Sequence, residues 1–185
     1  GLADATALYP TGTPLVPQYL TWGWWTGQFR FDETDPAEFQ NARLQWGLGA
    51  WVVGDRTDVL PIGGVATYVG PATVNAADPS GADFVDGARF QLTWDFGDRV
   101  GTAEFQDLLD LPTFDMPVSE SFALGSANDY GGVASVTAGG VPNSVQIGGS
   151  FFDGPTPNDA LATAGSIRID TPSGPRATGI FFAER

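Results

Sequence analysis

This 185-residue chain contains no cysteine and no histidine, and its eight basic residues are all arginine, so it has no lysine either. Without cysteine there are no disulfides, no thiolate nucleophile and no zinc site built on sulfur. Without histidine the commonest general base and the commonest metal ligand are missing, so Ser-His-Asp and Cys-His arrangements and a His-held haem are excluded. Positive charge is scarce: 8 basic against 22 acidic residues give a net charge of −14. A phosphate backbone is bound by Lys and Arg neutralising its charges, so nucleic acid is excluded as a partner, and an anionic membrane surface is disfavoured on the same ground. The acidity reads most simply as a solvated coat suited to salty surroundings, although carboxylates also attract Ca²⁺. No apolar run approaches the roughly 20 residues of a membrane-spanning helix, so no transmembrane segment is expected. The chain starts at Gly1 with neither Met nor a signal peptide, as expected of a processed chain or a piece of a longer one.

What is present suits a packed domain. Hydrophobic residues make up 42% of the chain and include 13 Phe and 6 Trp, and a chain of this length buries about 70% of its unfolded surface. The 25 Gly and 14 Pro are scattered, which favours many short strands over long helices. From Arg89 to Phe96 every second residue is apolar, placing Phe90, Leu92, Trp94 and Phe96 on one face of a half-buried antiparallel strand. Further strands are expected over 22–31, 44–53, 64–70, 101–105, 131–137, 144–152, 166–170 and 178–183. About eight strands at short spacing fit a barrel or sandwich. The one helical signal is brief: Asp35 as N-cap, Pro36 at the first helical position and Glu38 able to bond back to the cap. Asp170-Thr171-Pro172-Ser173-Gly174 closes a hairpin, and Gly97-Asp98 marks a turn after the Phe90 strand. Residues 75–87 and 108–127 read as surface loops or edge excursions. Pro10, Pro14 and Pro17 make residues 1–17 an extended arm.

Four segments carry a resemblance when taken in order: Gly64-Val65-Ala66-Thr67-Tyr68-Val69-Gly70; Trp94-Asp95-Phe96-Gly97-Asp98-Arg99; Gly149-Ser150-Phe151-Phe152-Asp153-Gly154-Pro155; and the final stretch from Ala177 to Arg185. Their succession resembles the transferrin-binding-protein-B-like C-terminal β-barrel domains of bacterial surface or secreted proteins. Tyr19-Leu20-Thr21-Trp22-Gly23-Trp24-Trp25 and Trp46-Gly47-Leu48-Gly49-Ala50-Trp51 are similar to strands that precede such barrels. Each motif alone follows from barrel architecture, where Gly allows tight bends and aromatics fill a narrow interior; the shared order carries the likeness. It implies an antiparallel barrel of about eight strands with a small N-terminal strand-rich handle; with the short helix read above, the expected fold is all-β with one short helix. The expected division is an arm over 1–17, handle strands and helix over 18–60, and a barrel over 61–185. It also implies an extracellular or outer cell-surface location and a binding role. No lipid-attachment Cys is present and no transferrin-recognition loop can be matched, so iron capture is not implied.

Candidate sites remain open between structural and functional readings. Trp22, Trp24 and Trp25 share one strand, and large rigid side chains suit a glycan or protein platform; the plainer reading is a core strand between handle and barrel. Asp78, Asp83 and Asp86 offer hard oxygen ligands for Ca²⁺, but their spacing matches no EF-hand or Gly-Asp repeat pattern and Asp is an ordinary loop residue. With 17 Asp and 5 Glu, some carboxylate pair meets the glycosidase separation by chance, and Asp95 and Asp98 beside Arg99 describe a common corner. Tyr68 is expected to be a barrel residue with a satisfied hydroxyl. The expected function is a non-catalytic, cofactor-free binding module that meets a protein or small ligand through barrel loops. The alternative is a subunit of an extracellular filament, sheath or surface layer whose arm adds to a neighbouring copy.

Overall fold

The computed structural model describes residues 19–29, 45–77, 83–121, 128–172 and 174–185. The expected arm and the helix expected at Asp35 lie outside these residues. Ten strands follow one another: β1 (Leu20–Phe29), β2 (Gln45–Gly54), β3 (Val65–Ala77), β4 (Asp83–Asp95), β5 (Val100–Gln106), β6 (Phe114–Glu120), β7 (Asp129–Ala138), β8 (Val141–Phe152), β9 (Ala162–Thr171) and β10 (Gly174–Glu184). The last eight form a closed antiparallel barrel in the order β10-β3-β4-β5-β6-β7-β8-β9, and β1 and β2 form a separate two-stranded sheet.

The alternation seen from Phe90 onward recurs around the barrel and decides what points inward. Phe90, Leu92, Trp94, Ala103, Phe105, Met116, Val118, Val145, Ile147, Phe151, Ile167, Ile169 and Phe181 are all buried in one cluster. Eight strands enclose an interior just wide enough for side chains to fill. Here aromatic rings fill it: Trp94 meets Tyr130 and Phe151 at 5.4 Å, Tyr130 meets Phe151 at 5.2 Å, and Phe90 meets Phe181 at 4.2 Å between centroids. Such tilted pairs add to the burial energy of the rings themselves. The lumen is a core, not a pore.

Two seams show how closure is reached. Between β3 and β10 the pairing is interrupted between Ala72 and Val69, where Pro71 has no N–H to donate. At the neighbouring Gly70 a Cβ would lie 2.1 Å from the Phe182 carbonyl oxygen, so only glycine lets the strands approach. Between β6 and β7 only Ser119 and Glu120 are paired, with Gly131 and Tyr130, against ten pairs between β7 and β8. Pro117 therefore sits in a stretch of β6 laddered on the β5 side alone, the position a strand proline tolerates.

Some of the expected loops are strand. Residues 108–127 contain β6, whose Phe114, Met116 and Val118 alternate inward past an outward Pro117. The reading of 75–87 as a loop also fails, because β3 and β4 pair up to Ala77 and Asp83. Small Ala72, Val74 and Ala76 fill the tapering mouth without a bulky apolar signature. The hairpin expected at 170–174 is present, with Thr171 opposite Gly174.

Outside the barrel, Leu20 of β1 packs with Ala162, Ala164, Ile180 and Phe182, the outward residues of β9 and β10, and Trp22, Ala50, Val52 and Phe152 lie against them. The small sheet thus rides on the wall beside the barrel's closing seam.

If β6 is a wall strand, its faces must respond oppositely to charge. Val118→Asp, which puts a carboxylate into the core, should lower the free energy of unfolding by about 3 kcal/mol or more, whereas Ser119→Asp on the outer face should change it by no more than about 0.5 kcal/mol. Urea denaturation of both variants measures this, and equal small losses would contradict the register.

Candidate functional site

The two ends of the barrel differ. At one end meet the start of β3, the β4–β5 turn, the end of β8 and the start of β9, and residues 55–64 cross that end as a strap between β2 and β3. The polar side chains of 55–58 and their counterparts explain why it lies there. Thr57 N donates to the Phe151 carbonyl at 3.0 Å and Asp153 N to the Asp55 carbonyl at 2.7 Å. Thr57 Oγ1 donates to Asp153 Oδ1 at 2.7 Å. Asn128 Nδ2 reaches both the Thr57 and Asp58 carbonyls at 2.7 Å, and Val59 N donates to Asn158 Oδ1 at 3.0 Å. Leu60 then turns inward and joins the core.

A buried carboxylate anchors the strap. Asp129 is fully buried at its side chain, and the half-exposed guanidinium of Arg56 pairs with it. Ser150 Oγ donates to the same Asp129 oxygen at 2.5 Å. A chain of hydroxyls continues inward: Thr163 Oγ1 donates to the Ser150 carbonyl at 2.9 Å and lies 2.7 Å from the Tyr130 hydroxyl. Burial raises the Tyr130 phenol far above its ordinary value, so it stays a neutral hydrogen-bonding group. Tyr68 is likewise held neutral chiefly by burial and donates to the Ala160 carbonyl at 2.6 Å. Partial desolvation opposes ionisation of Asp153, but hydrogen bonds from Asn158 N, Thr57 Oγ1 and the amides of Ala160 and Asp159 outweigh it and hold its carboxyl below the ordinary range.

The opposite end is closed by the β5–β6 connection, with Leu108 and Leu111 buried in the core. Leu109 N donates to Asp86 Oδ2 at 2.7 Å. Arg176 bridges from Asp110 to the buried Asn143, 2.8 Å from its Oδ1.

The sequence-predicted residues fall as follows. Trp22 is half-buried in the seam between the small sheet and the barrel, its ring 4.9 Å from that of Phe182. Trp24 and Trp25 stand in β1 opposite Ala50 and Gly49 of β2; their side chains lie outside the described residues. Asp83 begins β4 opposite Ala77 and Asp86 holds the Leu109 amide, while Asp78 lies outside the described residues. Among the described residues no group of three or more His, Cys, Asp or Glu is placed to hold a metal ion. Asp95 gives its Oδ1 to the amides of Gly97 and Asp98, the corner expected of it. The strap was missed altogether. Its only signal was the clustering of polar residues at 55–58, 128–129 and 158–159, and nothing local says that such distant pairs meet.

No known family model and no curated protein matches the chain. Solved structures do. Intact Ap-TbpB, with its N and C lobes, superposes over 92% of this chain and 34% of its own length at a TM-score of 0.60 and 17% identity. A tryptophan-to-alanine variant of the vaccine antigen transferrin binding protein B from Haemophilus parasuis Hp5 superposes over 90% of this chain and 32% of its own at a TM-score of 0.57 and 19% identity. In fold, therefore, the chain is a TbpB-like barrel domain. It spans about a third of the length of these neighbours.

Two measurements probe the strap. Arg56→Gln strands the buried Asp129 carboxylate and should cost about 2 kcal/mol or more, while adding Asp129→Asn should recover part of that loss; a double-mutant cycle by urea denaturation reads the coupling, and additive losses would dismiss it. The depressed carboxyl of Asp153 stabilises the fold above the pKa it has when unfolded and loses that contribution as pH falls through its lower folded value. Below about pH 4 the stability of the native chain should thus fall more steeply than that of Asp153→Asn. Parallel pH profiles of the two would deny the strap this role.

Proposed function

We propose that this chain is a non-catalytic binding module, displayed outside a bacterial cell, that recognises a protein partner with the outer surface and end loops of its barrel. The observation that carries the reading is the filled lumen. Tyr68, Phe90, Trp94, Phe105, Tyr130, Phe151 and Phe181 are buried at its centre, one end is strapped by residues 55–60, and Leu108 and Leu111 close the other. A barrel of this kind has no interior to offer a small molecule, so recognition falls to the outside, where loops on a rigid scaffold usually carry it.

The fold neighbours support the same reading, because each is named a transferrin-binding protein. Among the described residues no helix is long and apolar enough to cross a membrane, and the surface location proposed here rests on the likeness in fold.

Analytical ultracentrifugation of the full chain, alone and mixed with transferrin or whole serum, tests the proposal. Alone it should sediment as a monomer of 19.4 kDa at every concentration, with Ca²⁺ or with a chelator, and in the mixture it should move into a heavier boundary. Growth in mass with concentration in the absence of any additive would make the chain an assembly subunit instead.

A further inference from the structure

Large hydrophobic side chains are unevenly spread over the surface. Among the described residues the most exposed are Val53, Val59, Ile62, Val65, Val100, Val133 and Val141, and Val59, Ile62, Val65 and Val100 gather at the strapped end. Ile62 is 97% exposed, and it sits between two anchored neighbours. Leu60 is buried in the core on one side; on the other the Gly64 carbonyl accepts the Phe96 amide at 2.9 Å, with Gly63 packed near Gly97 of the β4–β5 turn. Its exposure is therefore built into the fold. Val65 pairs with Asp95, which pairs with Val100, so the two valines stand on the outer wall about 10 Å apart, two strand spacings.

The surroundings of this apolar tip are acidic. Asp55 and Asp58 on the strap and Asp98 on the β4–β5 turn are exposed, and Asp95 is half-exposed in the row between the valines; of the two arginines in these segments, Arg56 is paired with the buried Asp129 and Arg99 is half-buried. An apolar centre rimmed by charge of one sign is how protein interfaces combine affinity with orientation: the centre supplies binding energy and the rim steers and selects. A basic surface is the complement of this rim, and the overall charge of −14 steers a basic partner over longer range.

We propose that Ile62, with Val59, Val65 and Val100 around it, is the docking surface for a protein partner presenting an apolar recess bordered by Lys and Arg. The proposal rests on the reading of the chain as a binding module and names the face that binds.

A phage-displayed library of random peptides panned against the full chain provides the probe. Selected peptides should combine Lys or Arg with apolar residues. Ile62→Asp should weaken them roughly tenfold or more, as loss of an interface anchor does, without moving the melting midpoint, because the side chain packs against nothing. Val141→Asp, at the other end of the barrel, should leave them unaffected. Their association should slow with added salt and in the Asp58→Asn, Asp98→Asn double variant. Peptides rich in Asp or Glu, or peptides that bind Ile62→Asp as well as the native chain, would overturn the proposal. If the peptides depend instead on Val141, the binding-module reading stands and this surface falls. If no peptide is selected and the chain grows in mass alone, both fall.

Discussion

The rest of the structure depends on the filling of a closed eight-stranded sheet. Closure removes the free edges that would otherwise invite further strands, but it commits the chain to packing a lumen of fixed width. The solution here is a connected set of buried aromatic rings from six of the eight strands, with Tyr68 from β3, Phe90 and Trp94 from β4, Phe105 from β5, Tyr130 from β7, Phe151 from β8 and Phe181 from β10. Where rings are largest, opposing positions must be smallest. Gly149 and Gly165 face each other across β8 and β9, and a Cβ on either would meet the Phe181 ring at less than 3 Å. The scattered glycines are thus the complement of the aromatics.

Filling the lumen with rings also dictates how polar groups at its ends are handled. Tyrosine brings a hydroxyl into a region where an unmet hydrogen bond costs about 1–3 kcal/mol. Tyr130 passes its hydroxyl to Thr163 and thence to the Ser150 carbonyl, while Ser150 Oγ goes to Asp129. Asp129 in turn requires a cation, and Arg56 supplies it from the strap. The strap is thus tied to the aromatic filling through a chain of hydrogen bonds that ends on Asp129 Oδ1, while Asp129 Oδ2 and the Trp94 indole nitrogen are buried without a partner. Of the eight arginines, Arg176 serves the other end in a similar way, through Asn143 and Asp110.

Legibility in the sequence followed the range of the forces involved. The β4 pattern was readable because alternation is local, and the class of fold followed from its repetition. β6 was not, because Pro117 interrupts the one short run that would have shown it, and the reason a proline is tolerated there, the two-residue pairing with β7, is a property of the assembled barrel. The far half of the β3–β4 hairpin was hidden by its small residues. Trp22 was readable as an aromatic of consequence, yet its contact with Phe182, 160 residues away in the chain, required the fold. The strap left almost no trace, since hydrogen bonds such as that from Thr57 to Asp153 join residues 96 positions apart.

Some features belong to the architecture and others are particular to this chain. A packed lumen, glycine corners and a sheet riding on the wall suffice to make the barrel, and they are consistent with sequence identities as low as 17 and 19% to structures of like fold. None of them requires an isoleucine to stand 97% exposed between two anchored residues. Burying Leu60 needs the strap, and joining the strap to β3 needs a turn, but Gly63 and Gly64 already supply that turn, with Gly64 at φ +95°. A polar residue at position 62 would meet the same backbone demands and avoid the cost of apolar surface in water. The isoleucine is a residue at this end that folding does not explain, and with Val59, Val65 and Val100 exposed at the same end it belongs to a group of apolar side chains of the kind that marks an interaction surface.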